Sequence, residues 1–198
     1  MDIVISVICL PILLLVMLFV APVILLNDGR PVFYLSKRRG RGGRPFTMFK
    51  FRSMKVDAPD LRNPDGSTLT SAHDPRLTKS GAWLRRTSID ELPQILNIVM
   101  GDMSLVGPRP QVATRPYDLL SKNEQEVLSI RPGLTGYNQA YWRNAADSTE
   151  KTQNDVYYVR NMSLTFDVRI IWQTAKQVTS HAGVNSNEIK GVENQRYV

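Results

Sequence analysis

Cysteine and histidine are almost missing from this chain. Its 198 residues include one cysteine, Cys9, and two histidines, His73 and His181. A single cysteine excludes a disulfide framework and a thiolate metal site, and two isolated histidines make no metal cluster. Disulfide-stabilised and thiolate-metal proteins are therefore excluded as classes.

Charge is missing from one long stretch. Residues Ile3–Leu26 contain no charged side chain, and Ser6 is the only clearly polar one. As a helix these 24 residues would extend roughly 36 Å, against about 30 Å for the hydrocarbon core of a bilayer. No basic region precedes the stretch and no small-x-small cleavage site follows it, so a membrane-embedded helix is favoured over a secretory signal.

Two prolines, Pro11 and Pro22, interrupt this apolar segment. Proline removes a backbone hydrogen bond and clashes with the preceding turn, so we expect a kink. The kinked segment is either a bent membrane span or a re-entrant helix that returns to the side from which it entered. The spacing of the prolines does not decide between the two.

Acidic residues are scarce in the next stretch. Between Asn27 and Lys55 a single acid, Asp28, stands against nine basic residues, a local charge of +8 in a chain of net charge +7. The positive-inside rule places such a block in the cytoplasm, close to membrane lipids. Nucleic acid is the less favoured partner because an apolar anchor lies beside the block. The nine residues are Arg30, Lys37, Arg38, Arg39, Arg41, Arg44, Lys50, Arg52 and Lys55.

A β-hairpin is predicted directly after the membrane segment. Residues Val32–Leu35 and Phe46–Phe51 are rich in strand formers and flank a loop rich in glycine and arginine. The alternation of the second strand places Lys50 and Arg52 on one face. That basic pair either holds phosphate or forms a solvated face.

The remaining residues predict a mostly helical domain. We expect a loop over 56–80 and helices beginning near Ser80, over 88–101, over 117–130 and over 167–180. Trp172, on the apolar stripe of the last helix, marks either the membrane interface or the core. The fold class is therefore α+β, with a membrane-embedded helix in residues 1–28 and a compact, mostly helical cytoplasmic domain with a short β-hairpin in residues 29–198.

Two adjacent carboxylates, Asp90 and Glu91, stand in the sequence SIDELP. Ser88 and Glu91 match a capping box, whereas Pro93 would shift the helix start towards Asp90 as the cap. Alternatively the pair is catalytic, because carboxylates, Mg²⁺ and several arginines together are typical of phosphoryl transfer.

Three motifs resemble a known family. The sequences KFRSM (50–54), RRTSIDELPQILNIVMGDMSLVGPRP (85–110) and RPGLTGYNQ (131–139), with weaker support from DVYYVRN (155–161), are similar to bacterial sugar transferases of the small, or monotopic, phosphoglycosyl transferase type. The resemblance extends over nearly the whole chain.

This resemblance implies an enzyme of the bacterial inner membrane, with its catalytic domain on the cytoplasmic face. Such enzymes transfer a phosphosugar from a UDP-sugar to a polyprenol phosphate, usually undecaprenyl phosphate, and release UMP through a covalent aspartyl intermediate. The reaction initiates glycoconjugate assembly. The expected partners are these two substrates and membrane lipids, without nucleic acid, and a homodimer is left open.

The same resemblance assigns roles to individual residues. Asp90 is implied as nucleophile and metal ligand, and Glu91 as an aid to proton transfer or metal placement, with Mg²⁺ as cofactor. Lys50, Arg85, Arg109, Arg131 and Gln139 are implied to bind phosphate or substrate. The membrane segment is implied to be re-entrant, broken at Pro11 or Pro22, although the family's Ser-Pro pair is replaced here by Leu10-Pro11 and Ala21-Pro22.

Two alternatives to this covalent transferase stay open: an inactive membrane-tethered scaffold of the same fold, and a direct transferase in which Asp90 only holds metal. The sequence does not name the sugar. A transferase of the many-helix type is excluded because the chain has a single apolar segment. The aromatic stretch 137–144 is the expected specificity region.

Overall fold

The structure, a computed structural model, describes residues 2–59, 61, 74–113, 115–142 and 146–180. Within these ranges it has seven α-helices and two small sheets, which confirms the α+β class. The predicted loop over 56–80 lies largely outside the described residues, as do both histidines. The elements are α1 (Asp2–Asp28), β1 (Phe33–Arg39), β2 (Pro45–Phe51), α2 (Lys79–Thr87), α3 (Gln94–Val99), β3 (Ser104–Val106), α4 (Lys122–Val127), β4 (Gly133–Thr135), α5 (Tyr137–Tyr141), α6 (Ser148–Arg160) and α7 (Leu164–Ser180).

Helix α1 covers the predicted apolar segment and runs without interruption through Pro11 and Pro22. Neither proline ends it. By length and composition the helix is able to cross a membrane. Its buried residues are Ser6, Leu13, Val20 and Ile24, which recur at intervals of four or seven and so lie on one face.

Both ends of α1 are bonded to the rest of the protein. The Ser104 hydroxyl donates to the Asp2 carboxylate at 2.7 Å. The backbone amides of Lys79 and Ser80 donate to the Asp28 carboxylate at 3.1 and 3.3 Å. The helix therefore lies against the domain along its length, and large apolar side chains cover its outward face.

The predicted hairpin is confirmed, with a longer first strand. Strand β1 pairs antiparallel with β2 from Phe33↔Phe51 to Arg39↔Pro45 and extends four residues beyond the predicted end at Leu35. A 3₁₀ turn over Arg41–Gly43 joins the strands, and Gly42 and Gly43 there have positive φ values of 65° and 77°. Such values suit glycine because it lacks a Cβ.

The two faces of β2 enter different parts of the core. Phe46 and Met48 pack with Ile98 and Met103, which joins the hairpin to α3. Phe51, on the opposite face, packs with Val20 and Ile24 of α1 and with Leu84 of α2. The hairpin thus links α3 on one face with α1 and α2 on the other, while α1 also packs directly on α2 and α3.

Strands β3 and β4 form a short parallel pair, with Ser104 opposite Gly133 and Val106 opposite Thr135. Their loops pass so closely that a Cβ on Gly107 would lie 2.6 Å from the carbonyl oxygen of Arg131. A Cβ on Gly133 would collide with the backbone of Gly107. The glycines of the sequences VGPRP and RPG are therefore required by backbone contact.

The helical half of the domain corrects two expectations. The helix predicted over 117–130 is reduced to α4, preceded by a 3₁₀ turn over Tyr117–Leu119, because Ser121 and Glu124 form a capping box that begins the helix later. In α7 the core residue is Ile170, whereas Trp172 is 74% exposed. The core interpretation of Trp172 is thus wrong, because α7 packs into the core through Phe166, Ile170 and Ile171.

Candidate active site

A carboxylate between two basic side chains marks the candidate site. Lys50 Nζ in β2 donates to Glu91 Oε1 at 2.5 Å. Arg109 Nη2 approaches the same oxygen at 3.5 Å from the loop after β3. The Lys50 and Glu91 side chains are only 13% and 26% exposed, so water screens this pair weakly. Three segments distant in the sequence converge here.

The capping box predicted for Ser88 and Glu91 does not form. Ser88 is the left-handed residue that ends α2, with φ of 58°, and its amide donates to the carbonyl of Arg85. Its side chain makes no capping hydrogen bond, and Glu91 is bonded to Lys50 instead. Asp90 is not the cap of α3 either, because that position is taken by Pro93. Both carboxylates instead lie in a 3₁₀ turn over Ile89–Glu91.

Asp90 is a buried acid with a raised pKa. Its exposed fraction is 6%, and within the described ranges nothing donates a hydrogen bond to its carboxylate. Burial and then the adjacent Glu91 charge raise its pKa from 3.8 to about 6, while Lys50, Arg85 and Arg109 oppose the rise. At neutral pH Asp90 is therefore mostly ionised yet more basic than an ordinary aspartate, which suits a nucleophile.

Glu91 titrates in the opposite direction. Burial alone would raise its pKa, but Lys50 and Arg109 outweigh burial through charge and hydrogen bonding and lower the pKa to about 2. The two neighbouring carboxylates are thus separated in pKa by their surroundings, as is common where they have different chemical roles. Glu91 stays ionised at every physiological pH.

Arg85 faces Asp90 from the end of α2. Burial lowers its pKa, and the charges of Asp90 and Asp74 raise it. Its Nη1 lies 3.8 Å from Asp74 Oδ2, and its Nη2 donates to the Met54 sulfur at 3.8 Å. Asp74 is in turn fixed by Arg76 at 2.7 Å. Arg85 therefore lies at the end of α2 between the carboxylates of Asp90 and Asp74.

Asn97 holds the carboxylate turn against the hairpin, and no local pattern in the sequence indicates this role. This fully buried side chain in α3 donates to the carbonyl of Thr47 at 2.8 Å and accepts from the amide of Phe49 at 3.0 Å. Both partners are in β2, close to Lys50. The amide of Asn97 thus fixes how near the turn over Ile89–Glu91 lies to Lys50.

A further basic residue, Arg38 of β1, lines the same small pocket as Lys50, Glu91 and Arg109. Arg38 pairs with Phe46 across the hairpin, and paired residues lie on the same face of a sheet. Phe46 and Lys50 are four residues apart in β2, so Arg38 shares the face of Lys50. Sequence reasoning missed it because that face is known only once the register is known.

The structure does not bring every implied residue into this pocket. Arg131 is exposed and only its backbone adjoins the site, through Gly107. Gln139 lies beside Gly136, and both polar atoms of its amide are buried without a hydrogen-bond partner. Arg52 is not on a solvated face: it is buried and donates to the carbonyls of Asp28 and Gly29.

The site therefore defines an acid pair with three basic side chains next to a long apolar helix, a set suited to binding phosphate at a membrane surface. The comparisons with known proteins agree. The family model described as "Bacterial sugar transferase" matches residues 1–181. The chain belongs to the bacterial sugar transferase family, and the resemblance found in the motifs is confirmed.

Three relatives show how far the likeness extends. The chain is 40% identical over 169 residues to "Uncharacterized sugar transferase EpsL" of Bacillus subtilis, covering 85% of this chain and 80% of that protein. It is 37% identical to the "UDP-glucose:undecaprenyl-phosphate glucose-1-phosphate transferase" of Escherichia coli, over 87% of this chain and 38% of the relative. It is 35% identical to the "UDP-N-acetylgalactosamine-undecaprenyl-phosphate N-acetylgalactosaminephosphotransferase" of Aeromonas hydrophila, over 92% of this chain and 44% of that protein. The chain thus spans less than half of these last two proteins.

Proposed function

We propose that this protein transfers a phosphosugar from a UDP-sugar to a polyprenol phosphate such as undecaprenyl phosphate, releases UMP, and so initiates glycoconjugate assembly. The observation that supports this proposal most directly is the buried Asp90, whose pKa is raised to about 6. Its neighbour Glu91 is already paired with Lys50 and Arg109. The names of the relatives, which act on undecaprenyl phosphate, support the same reaction.

In the first step an Asp90 carboxylate oxygen attacks the β-phosphorus of the donor. A bond forms between this oxygen and phosphorus, the bond from phosphorus to the bridging oxygen breaks, and UMP leaves with that oxygen. The product is an acyl phosphate that joins Asp90 to the phosphosugar. Arg85, Arg109 and Lys50 offset the charge that the diphosphate brings to the site.

In the second step an oxygen of the lipid phosphate attacks the same phosphorus. The bond between phosphorus and Asp90 breaks, so the carboxylate is regenerated and a lipid diphosphosugar forms. No additional oxidant, reductant or nucleophile is needed. Because Glu91 stays ionised, it serves to orient Lys50 and Arg109 rather than to supply a proton.

We propose Mg²⁺ as the cofactor, with Asp90 as its protein ligand. Magnesium is commonly bound by one or two carboxylates together with substrate phosphates, and a single carboxylate to which no described residue donates a hydrogen bond fits that mode. Glu91 fits less well because two basic side chains already share one of its oxygens. The bound ion would supply positive charge for the diphosphate.

We propose that α1 is embedded in the bacterial inner membrane, with the domain on the cytoplasmic side. The bonds at both of its ends, to Ser104 and to the start of α2, hold the uninterrupted helix along the domain, and this favours a helix that lies at one face of the bilayer over a span. The basic block that follows supports the cytoplasmic orientation. This arrangement would let one site reach a soluble nucleotide sugar and a lipid phosphate.

The first experiment measures UMP release from a panel of UDP-sugars with Mg²⁺ and undecaprenyl phosphate, for the wild type and for Asp90→Asn. The donor sugar has to be found this way because the relatives differ in theirs, glucose in one and N-acetylgalactosamine in another. We expect release with one donor and none from the variant. No release with any donor, from folded protein, would favour the inactive scaffold.

A second readout separates covalent from direct transfer. Without lipid, the wild type should release about one UMP per protein and gain the mass of one phosphosugar, and both should be absent in Asp90→Asn. A variant that still releases UMP, or a wild type that never gains mass, would refute the covalent intermediate and favour direct transfer with Asp90 as metal ligand.

A further inference from the structure

A second basic site lies at the end of α1. An open cleft of about 570 Å³ is lined there by Arg30, Arg52, Lys55 and Lys79, and Asp28 is the only acid among the described residues that line it. It shares no lining residue with the pocket around Glu91. The catalytic roles proposed above leave this cluster unexplained.

The charges of the cleft are largely uncompensated. The Asp28 carboxylate accepts from the amides of Lys79 and Ser80, so it is occupied in holding the start of α2. Arg30, Lys55 and Lys79 are exposed, and no ion pair involves them in the described part of the chain. An anion entering the cleft would meet a net positive surface.

Arg52 gives the cleft a rigid base. It is 5% exposed, and its Nη2 donates to the carbonyls of Asp28 and Gly29 at 2.7 and 2.6 Å. Its Nε is buried without a hydrogen-bond partner. A buried guanidinium with an unused N–H is unfavourable unless an acceptor is bound, and oxygens of a phosphate are good acceptors for arginine.

The cleft lies at the end of the apolar helix. Its lining includes Asp28, the last residue of α1, and Val56, which is 57% exposed, while Leu26, two residues before Asp28, is 86% exposed. With α1 in the membrane, a basic cleft at the end of this helix lies at the level of the headgroups, where the phosphates of lipids are found.

We propose that this cleft binds the phosphate of a lipid headgroup and so fixes the end of α1 at the membrane surface. Two lipids offer that chemistry, an anionic phospholipid and the polyprenol phosphate. The proposal depends on the membrane placement of α1 and not on the catalytic role of Asp90.

The test uses the full chain in nonionic detergent and follows its thermal unfolding while dihexanoyl phosphatidylglycerol is added. Dihexanoyl phosphatidylcholine, which has no net charge, is the comparison lipid. The variant is Lys55→Gln with Lys79→Gln, and the matched control is Lys122→Gln with Lys151→Gln on α4 and α6. All four lysines are outside the proposed catalytic site.

We expect saturable stabilisation of the wild type and of the control variant by phosphatidylglycerol, and at least about tenfold weaker binding in the cleft variant, since each basic residue adds to headgroup attraction. Equal binding by all three proteins, or equal loss in the control variant, would overturn the proposal. This readout needs no turnover, so it stays interpretable if the proposed reaction fails.

A kinetic arm distinguishes the two lipids. If the polyprenol phosphate is the natural occupant, the KM for undecaprenyl phosphate rises in the cleft variant while the KM for the UDP-sugar does not change. If a phospholipid is the occupant, both KM values stay as in the wild type and only phosphatidylglycerol binding is lost.

Discussion

Replacing Asp90 by asparagine should make the protein more stable while abolishing its activity. The Asp90 carboxylate is buried, adjoins the charge of Glu91, and has a pKa raised from 3.8 to about 6. A group with a raised acidic pKa is more easily protonated in the folded state. Folding therefore becomes less favourable as pH rises from about 4 to about 6, and the penalty is constant above that range. Asparagine has no charge to bury and avoids the penalty.

The size of the effect follows from the shift. The rise in the pKa of Asp90 from 3.8 to about 6 corresponds to about 3 kcal/mol of folding free energy at neutral pH. This is an upper value because Asp90 and Glu91 titrate together. For a chain of 198 residues this gives a rise in Tm of roughly 5–10 °C. The opposing attraction of Lys50, Arg85 and Arg109 is already contained in the net shift.

The assay is thermal unfolding in detergent at several pH values between 4 and 8. Asp90→Asn should gain stability above pH 6 and lose that advantage as the pH approaches 4. The control is Asp118→Asn in the exposed 3₁₀ turn before α4, which should leave Tm unchanged. An Asp90→Asn protein that is no more stable than the wild type at pH 7.5, or whose advantage does not change with pH, would refute the reasoning.

Three further predictions concern the supports of the site. In Lys50→Gln, the positive charge that lowers the pKa of Asp90 is lost, so the acidic limb of the pH–rate profile should move to higher pH; an unmoved limb would contradict the influence of Lys50 on the nucleophile. In Asn97→Ala, two hydrogen bonds to β2 are lost and buried backbone groups are left unpaired, so the free energy of unfolding should fall by about 2 kcal/mol. The control is Asn123→Ala on the exposed side of α4, which should leave the free energy of unfolding unchanged. In Gly133→Ala the new Cβ meets the backbone of Gly107, so soluble expression or Tm should fall sharply, whereas Gly101→Ser, in open space, should cost far less.

The elements with strong local signals were predictable. The apolar run gave α1, the strand formers on both sides of the glycine-rich loop gave the hairpin, and Gly101, with φ of 83°, ends the helical stretch as expected. Each of these depends on side chains close together in the sequence. The family was predictable as well, since the motif around SIDELP is specific.

The contacts that hold the site together were not predictable from local sequence. The capping-box pattern at Ser88 was misleading because the tight junction between α2 and the next turn takes Ser88 into the left-handed region, which a sequence pattern does not encode. The partners of Glu91, Lys50 and Arg109, lie far from it in sequence, and the face of Trp172 depends on how α7 packs. The alternation of the strand left Lys50 either as a phosphate-binding residue or on a solvated face, and only the resemblance assigned it and Arg109 to the site.

The two bonded ends of α1 have a consequence for how the protein is made. The helix is synthesised before its partners in this domain: the partner of Asp2 is Ser104, 102 residues later, and the partners of Asp28 follow about 50 residues after it. During that interval the part of the domain that covers the inner face of the helix has not yet been made. We therefore expect the nascent chain to need early delivery to the bilayer, and a chain synthesised without membranes to aggregate before β3 can close over Asp2.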